Sequence, residues 1–181
     1  MKILEFEELG STQLEAKKYA KNNGIPDEGA VIIAKNQTNG IGTHGRRWLS
    51  KNGENITFTM VLKPNCKIEK LDNITLQIAN CIIQVIKELY NVNLDIKKPN
   101  DIVFNGKKLG GILTQVQSRE SQISFLFIGI GLNTNQTVFP AEIKAVASSI
   151  KSEFGIDINN KSLTNYLIEQ IYDVVSKLII S

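Results

Sequence analysis

The chain has 181 residues, 42% of them hydrophobic, enough for one well-packed core and pointing to a single domain over residues 1–181. Its net charge is only +3, and the basic residues are scattered, so the charge gives no reason to expect a nucleic-acid partner. One histidine, and two cysteines (Cys66 and Cys81) at no metal-ligand spacing, argue against a His/Cys metal site, a disulfide framework and a Ser-His-Asp triad.

In chain order, Lys2–Glu7 reads as a short strand whose acidic residues stand where a signal peptide would be apolar. No run approaches the roughly 18 apolar residues of a membrane span, so no membrane partner and a cytoplasmic location are expected. Thr12 with Glu15 three positions later makes a capping box, opening a helix that ends near Gly24-Ile25-Pro26. Val31–Ala34 and Ile56–Leu62 read as strands on either side of a glycine-rich loop. Ile74, Ile78, Ile82, Val85, Ile86 and Leu89 recur at spacings of three and four, which predicts an amphipathic helix. Leu94–Lys97 and Ile102–Phe104 are short strands, and Asn105-Gly106 is a two-residue hairpin turn into Leu109–Val116. Ile123–Leu132 is a long apolar strand, and a last helix starts near Ser162 with Leu163, Leu167, Ile171, Val174, Val175 and Leu178 on one face. Hairpin-connected strands, rather than alternating strand and helix, predict an α+β fold: a mostly antiparallel mixed sheet flanked by helices.

Four clusters carry chemistry. The loop Gly40-Ile41-Gly42-Thr43-His44-Gly45-Arg46-Arg47-Trp48 holds three glycines, two arginines and the only tryptophan. Its glycines permit close backbone approach to an anion, the arginines offer forks for phosphate or carboxylate, and the indole offers an apolar face. The spacing fits a dinucleotide fingerprint, but turn residues through Ser50-Lys51-Asn52-Gly53 follow where that motif needs a helix. A solvated basic hairpin is the plainer reading. The second cluster, Lys97-Lys98-Pro99-Asn100-Asp101, offers an ammonium, an amide and a carboxylate on a proline-stiffened turn. Such a group can neutralise phosphate or hold Mg²⁺, although Pro-Asn-Asp is also an ordinary turn. The third, Lys107-Lys108-Leu109-Gly110-Gly111-Ile112-Leu113, puts a glycine pair inside an apolar strand, as where a ligand or another backbone comes close. The fourth, Gly129-Ile130-Gly131-Leu132-Asn133, ends a buried strand in small residues and one amide.

The order of these motifs, from Ser11-Thr12-Gln13 and Gln37 to Gly129–Asn133, resembles the biotin protein ligases over residues 4 to 178. The resemblance implies a class II aminoacyl-tRNA synthetase-like catalytic domain. Such an enzyme joins biotin and MgATP to give biotinyl-5′-adenylate, then transfers biotin to a lysine on the biotin carboxyl carrier domain of acetyl-CoA carboxylase. It assigns the catalytic work to Lys97, Lys108 and Arg46. Biotin contacts fall to Ser11, Thr12, Gln13, Gln37, Gly40, Ile41, Gly42, Thr43, Lys108, Gly110 and Gly111. ATP contacts fall to Gly45, Arg46, Trp48, Lys97, Asn100, Asp101 and Asn133, with Asp101 as the Mg²⁺ ligand.

This chain departs from the usual pattern at several points. Ile41 and Thr43 stand where many members carry loop arginines, Lys98 where tryptophan is usual, and Gln13 where asparagine is common. The resemblance leaves no room before Lys2 for a winged-helix domain, so a ligase without repressor function is expected. The SH3-like domain usual after the last helix is expected to be either naturally absent or missing beyond Ser181, which bears on carrier engagement. Monomer and homodimer both stay open. Two alternatives also stand: a lipoate ligase-type enzyme, and a non-catalytic biotin-binding or biotin-sensing module.

Overall fold

The structure, a computed structural model, describes residues 1–49, 53–64 and 66–180. The expected turn at Ser50–Asn52 therefore lies outside the described residues. Among the described residues the strands are β1 (Lys2–Leu9), β2 (Ala30–Gln37), β3 (Gly40–Ile41), β4 (Arg47–Trp48), β5 (Ile56–Leu62), β6 (Asp95–Lys97), β7 (Asp101–Phe104), β8 (Lys107–Arg119) and β9 (Gln122–Leu132). The helices are α1 (Thr12–Asn23), α2 (Ile74–Tyr90), α3 (Ile150–Phe154) and α4 (Asn160–Ile180). Seven strands make one sheet in the order β1-β2-β5-β9-β8-β7-β6, while β3 and β4 pair as a separate small hairpin. Only β1 against β2 runs parallel within the large sheet, so its mostly antiparallel character is as expected.

The strand pattern explains the layers. In β5 every residue is buried, and alternation sends Ile56, Phe58, Met60 and Leu62 to one face and Thr57, Thr59 and Val61 to the other. The first face carries the main core, where Phe58, Met60, Ile112 and Ile128 pack with Ile78, Ile82 and Ile86 of α2 and Leu163, Leu167 and Ile171 of α4. The opposite face carries a smaller cluster of Ile32, Val61 and Phe127 under Ala16 and Ala20 of α1. Because α1 has only 12 residues, it covers one part of this face and leaves the part beyond its N-terminal end uncovered. That uncovered part is the cleft.

Ile82 of α2 is fully buried in the main core. Ile82→Ala is expected to cost about 2–5 kcal/mol through lost apolar burial and the cavity left behind. Urea denaturation of the two proteins measures it, and a difference below about 1 kcal/mol would mean that the core closes over the gap.

The structure corrects several local expectations. The N-cap of α1 is Ser11 rather than Thr12, and it makes no side-chain capping bond. The Thr12 hydroxyl is taken instead by Gln37, 3.1 Å away, so the capping box does not form. β1 and β2 each run further than expected because their parallel pairing extends to Leu9 opposite Gln37. α4 begins at Asn160, and Ser162 N–H is capped by the Asn159 side chain at 3.0 Å. The Asn105-Gly106 turn forms with both residues at positive φ, as a two-residue hairpin requires. The Glu120-Ser121 turn between β8 and β9 has the same geometry without glycine, which is why composition gave no signal for it.

Candidate active site

Register brings the distant motifs into one row across the open face. Thr57 of β5 lies opposite Gly131 of β9, Gly131 opposite Gly111 of β8, Gly111 opposite Asp101 of β7, and Asp101 opposite Lys97 of β6. The next row in the same alternation joins Thr59, Gly129 and Leu113. Directly opposed residues share a face, so the second, third and fourth clusters meet without any long-range folding of loops.

The glycines in these rows make room for specific side chains. A Cβ at Gly131 would sit 2.5 Å from Cε2 and 2.6 Å from Cζ2 of Trp48, so the indole lies flat against that glycine. A Cβ at Gly111 would meet Lys108 Nζ at 3.1 Å and Trp48 Cζ3 at 3.6 Å. At Gly129 it would fall 2.7 Å from Gln13 Oε1. Trp48 reaches this position from the β3–β4 hairpin, where Gly40 pairs with it so closely that a Cβ at 40 would be 2.6 Å from the Trp48 carbonyl. The hairpin turns through His44 and Gly45, both at positive φ.

The cleft so formed has about 430 Å³ of empty space and opens to solvent. One wall is a polar relay. Thr12 donates its N–H and its hydroxyl to Gln37 Oε1 at 2.8 and 3.1 Å. Thr59 Oγ1 lies 3.0 Å from Thr12 Oγ1 and 3.1 Å from Gln13 Oε1, and Gln13 Nε2 donates to Gln115 at 3.0 Å. Thr12 and Gln13 are thus committed to holding the wall. Ser11 Oγ is buried and finds no partner among the described residues, nor does Trp48 Nε1. An orphaned buried polar atom beside a cleft is unfavourable until a ligand satisfies it.

The other wall carries charge. Lys108 Nζ stands 2.6 Å from Asp101 Oδ1, with their side chains only 33% and 20% exposed, and it also lies 5.8 Å from the centre of the Trp48 ring. Asn100 is buried, its Nδ2 donating to the Ile112 carbonyl at 3.1 Å and its own carbonyl accepting from Ile112 N–H at 3.0 Å. The turn from β6 to β7 contains a cis Lys98–Pro99 bond. Cys66 and Cys81 lie away from the cleft lining, and burial pushes the Cys81 thiol up to about 11.

The structure places the expected site residues unequally. Ser11, Thr12, Gln13, Gln37, Ile41, Gly42, Thr43, Trp48, Asn100, Lys108 and Gly111 line the cleft. Gly40 lies behind Trp48, and Asp101 borders the cleft through Lys108. Gly110 faces the other side of the sheet, where a Cβ would meet Leu132 Cδ1 at 3.1 Å, so only the second of the two glycines opens onto the cleft. Arg46 is exposed and folds back on Thr43, bonding its carbonyl at 3.4 Å and its hydroxyl at 3.2 Å. Gly45 and Lys97 are exposed outside the lining. Asn133 is buried, donating Nδ2 to the Ser148 carbonyl at 3.0 Å and leaving Oδ1 without a partner among the described residues. Sequence reading missed Thr59 and Gln115, and gave Gly129 and Gly131 no role. Two buried threonines alternating through the apolar strand Ile56–Leu62, facing a Gly-x-Gly repeat, were the available signal.

The fold is that of a biotin protein ligase catalytic domain, of the class II aminoacyl-tRNA synthetase-like kind. The biotin protein ligase of Aquifex aeolicus, solved with biotin and ATP, superposes with a TM-score of 0.84 at 27% identity, over 99% of this chain and 72% of that one. The model of the biotin/lipoate A/B protein ligase family matches residues 8–133, and the chain belongs to that family. The bifunctional ligase/repressor BirA of Bacillus subtilis is 37% identical over 162 residues, 88% of this chain and 49% of that protein. The biotin–[acetyl-CoA-carboxylase] ligase of Mycobacterium tuberculosis is 29% identical over 147 residues, 79% of this chain and 52% of that protein. This chain spans about half the length of the curated relatives it matches. Among the described residues no helix is long and apolar enough to cross a membrane.

Proposed function

We infer that this chain carries the ligase chemistry of its family: it activates biotin as biotinyl-5′-AMP and passes the biotinyl group to a lysine of a biotin carboxyl carrier domain. The observation that carries this reading is the partly buried Lys108 ammonium, held by Asp101 above Gly111 in a cleft whose far lining is the polar Ser11–Gln37 wall. The ureido ring of biotin needs hydrogen-bond partners when buried, and the unpartnered Ser11 hydroxyl is ready for one. The biotin carboxylate and the α-phosphate of ATP repel each other, so a fixed cation at their meeting point lowers the barrier to attack. In the proposed reaction the substrate carboxylate replaces Asp101 as the partner of Lys108. The carboxylate oxygen bonds to the α-phosphorus, pyrophosphate leaves, and the carrier amine later attacks the acyl carbon and releases AMP.

Arg46 and Lys97, exposed at the rim, are assigned to the phosphates, and Asn133 to the nucleotide. Asp101 is the carboxylate that would hold Mg²⁺. A single protein carboxylate suits that ion, which keeps several waters and takes phosphate oxygens as further ligands. Bound there, Mg²⁺ would neutralise phosphate charge. A cytoplasmic setting follows from the substrates. The distance of both cysteines from the cleft and the raised Cys81 thiol favour this reading over cysteine-dependent acyl transfer.

The direct test is intact-mass spectrometry of a carrier domain incubated with this chain, biotin and MgATP. One biotinyl increment that requires ATP is expected. Lipoyl addition in place of biotin would turn the reading to a lipoate ligase, and biotin binding with neither product nor pyrophosphate release would leave a binding module.

Ile41 and Thr43 line the cleft where many relatives place arginine, so this chain has fewer cations with which to retain the adenylate. An Ile41→Arg/Thr43→Arg variant is expected to release biotinyl-adenylate at least about tenfold more slowly, each guanidinium adding a charge-assisted bond. A chase of labelled adenylate measures the rate, and equal rates would remove any role for these two positions in retention.

A further inference from the structure

Ser148 joins three elements that the sequence keeps far apart. Its N–H donates to the Lys108 carbonyl at 3.0 Å, its carbonyl accepts from Asn133 Nδ2 at 3.0 Å, and its hydroxyl donates to Glu153 at 2.5 Å. The Lys108 N–H in turn donates to the Val146 carbonyl at 2.8 Å, so Lys108 is gripped on both sides by the segment Val146–Ser148, as a short parallel bridge. Further along, Ile150 N–H reaches the Asn133 carbonyl at 3.1 Å, and Asn133 N–H reaches the Leu109 carbonyl at 2.7 Å. Lys108 and Asn133 are therefore locked to one strap.

The strap has an anchor. Glu153 sits on α3, which is capped at Ser149 by a 3.0 Å bond from Ser152 N–H to the Ser149 hydroxyl. Its carboxylate accepts from Ser148 and pairs with Lys107 at 3.2 Å, and its side chain is only 16% exposed. The backbone of the strap is also tied at Ile150, which is fully buried, and at Lys151, whose N–H reaches the Thr134 carbonyl at 2.8 Å, whereas Glu153 is the side chain that holds the Ser148 hydroxyl itself. The hydrogen bond from Ser148, more than the Lys107 ammonium, holds the Glu153 carboxyl below the usual carboxylate range.

We propose that Glu153, acting through Ser148, is a positioning residue that sets Lys108 and Asn133 at the reaction centre. This rests on the ligase reading for the roles of Lys108 and Asn133, whereas the clamp itself is a property of the fold. Glu153 touches neither substrate in this account. It fixes the backbone from which the Lys108 ammonium is presented, and displacement of a reacting group by about 1 Å costs on the order of 100-fold in rate.

The test uses biotin-dependent ATP–pyrophosphate exchange together with backbone hydrogen exchange followed by mass spectrometry. Glu153→Ala is expected to lower kcat by about 10- to 100-fold with KM for ATP changed by less than about threefold, because the loss falls on transition-state geometry. Glu153→Gln, whose amide oxygen still accepts from Ser148, is expected to recover to within about threefold of the parent rate. Lys107→Ala, which removes only the ion pair, is expected to stay equally close. In Glu153→Ala the amide of Lys108 is expected to exchange faster while those of α2 do not. A folded Glu153→Ala protein with parent kcat overturns the proposal, whether or not exchange at Lys108 rises. If the variant fails to fold, Ser148→Ala takes its place with the same expectations. If the parent protein shows no biotin-dependent exchange, the ligase reading fails by itself, and unaccelerated hydrogen exchange at Lys108 is then what overturns the clamp.

Discussion

Lys108→Ala is expected to lower biotin-dependent adenylation by about 10²- to 10³-fold, the usual cost of removing one fixed charge partner from a developing transition state. The position leaves little scope for substitution. The ammonium is 2.6 Å from Asp101 and lies over a glycine whose missing Cβ would approach it to 3.1 Å. Lys108→Arg keeps the charge but brings a planar fork into a space bounded by Gly111 and Trp48, so it is expected to recover only part of the loss. Pyrophosphate exchange measures the rate, and circular dichroism with a thermal midpoint separates lost chemistry from lost fold. Removing Lys108 also leaves the Asp101 carboxylate without its cation, so a modest stability change is expected beside the kinetic one. Activity of Lys108→Ala within about threefold of the parent would move the carboxylate-binding role to another cation.

Gly131→Ala carries the second large effect, and it acts through Trp48. Even a methyl group at 131 would stand 2.5 Å from the indole, far inside contact distance, and Gly111 lies directly beside it across the strand pair. Either the sheet shifts or the ring leaves the glycine floor. Overpacking of this kind costs about 1–3 kcal/mol. Displacement of the ring also deforms the cleft, so kcat/KM for biotin is expected to fall by about 100-fold. Trp48 is the only tryptophan in the chain, so its emission reports on this one corner of the cleft. A red shift in Gly131→Ala, toward water-exposed indole, is expected in the absence of any substrate. Unchanged emission with parent activity would show that the indole does not need the glycine beneath it.

The elements with strong local signals were legible from residues alone. The 3.6-residue period of Ile74–Leu89 found α2, the strand read at Ile56–Leu62 matches β5 to the residue, and Asn105-Gly106 found its hairpin turn. These signals are local because each depends on one face or one backbone conformation. Weaker elements escaped. α3 is five residues long and held by its cap and by contacts to Asn133 and Thr134, so periodicity could not find it. The Thr12 capping box failed because a partner 25 residues away, Gln37, took the hydroxyl that local reasoning had assigned to the helix end.

What the sequence determined by itself was the set of chemical parts and their family: the glycine loop with its tryptophan, the Lys97–Asp101 turn, the Lys108–Leu113 strand and the Gly129–Asn133 strand end. Only the tertiary structure decided how these parts divide the work. It set Gly111 on the cleft and Gly110 on the opposite face, committed Thr12 and Gln13 to the wall while leaving the Ser11 hydroxyl without a partner among the described residues, and folded Arg46 back on Thr43. It also brought in Thr59, Gln115, Ser148 and Glu153, which no motif marks. The reason is physical. A side chain's chemistry is carried by its own atoms, but its hydrogen-bond partners and facing direction are set by strand register and by neighbours as distant in sequence as Gln115 is from Gln13, 102 residues.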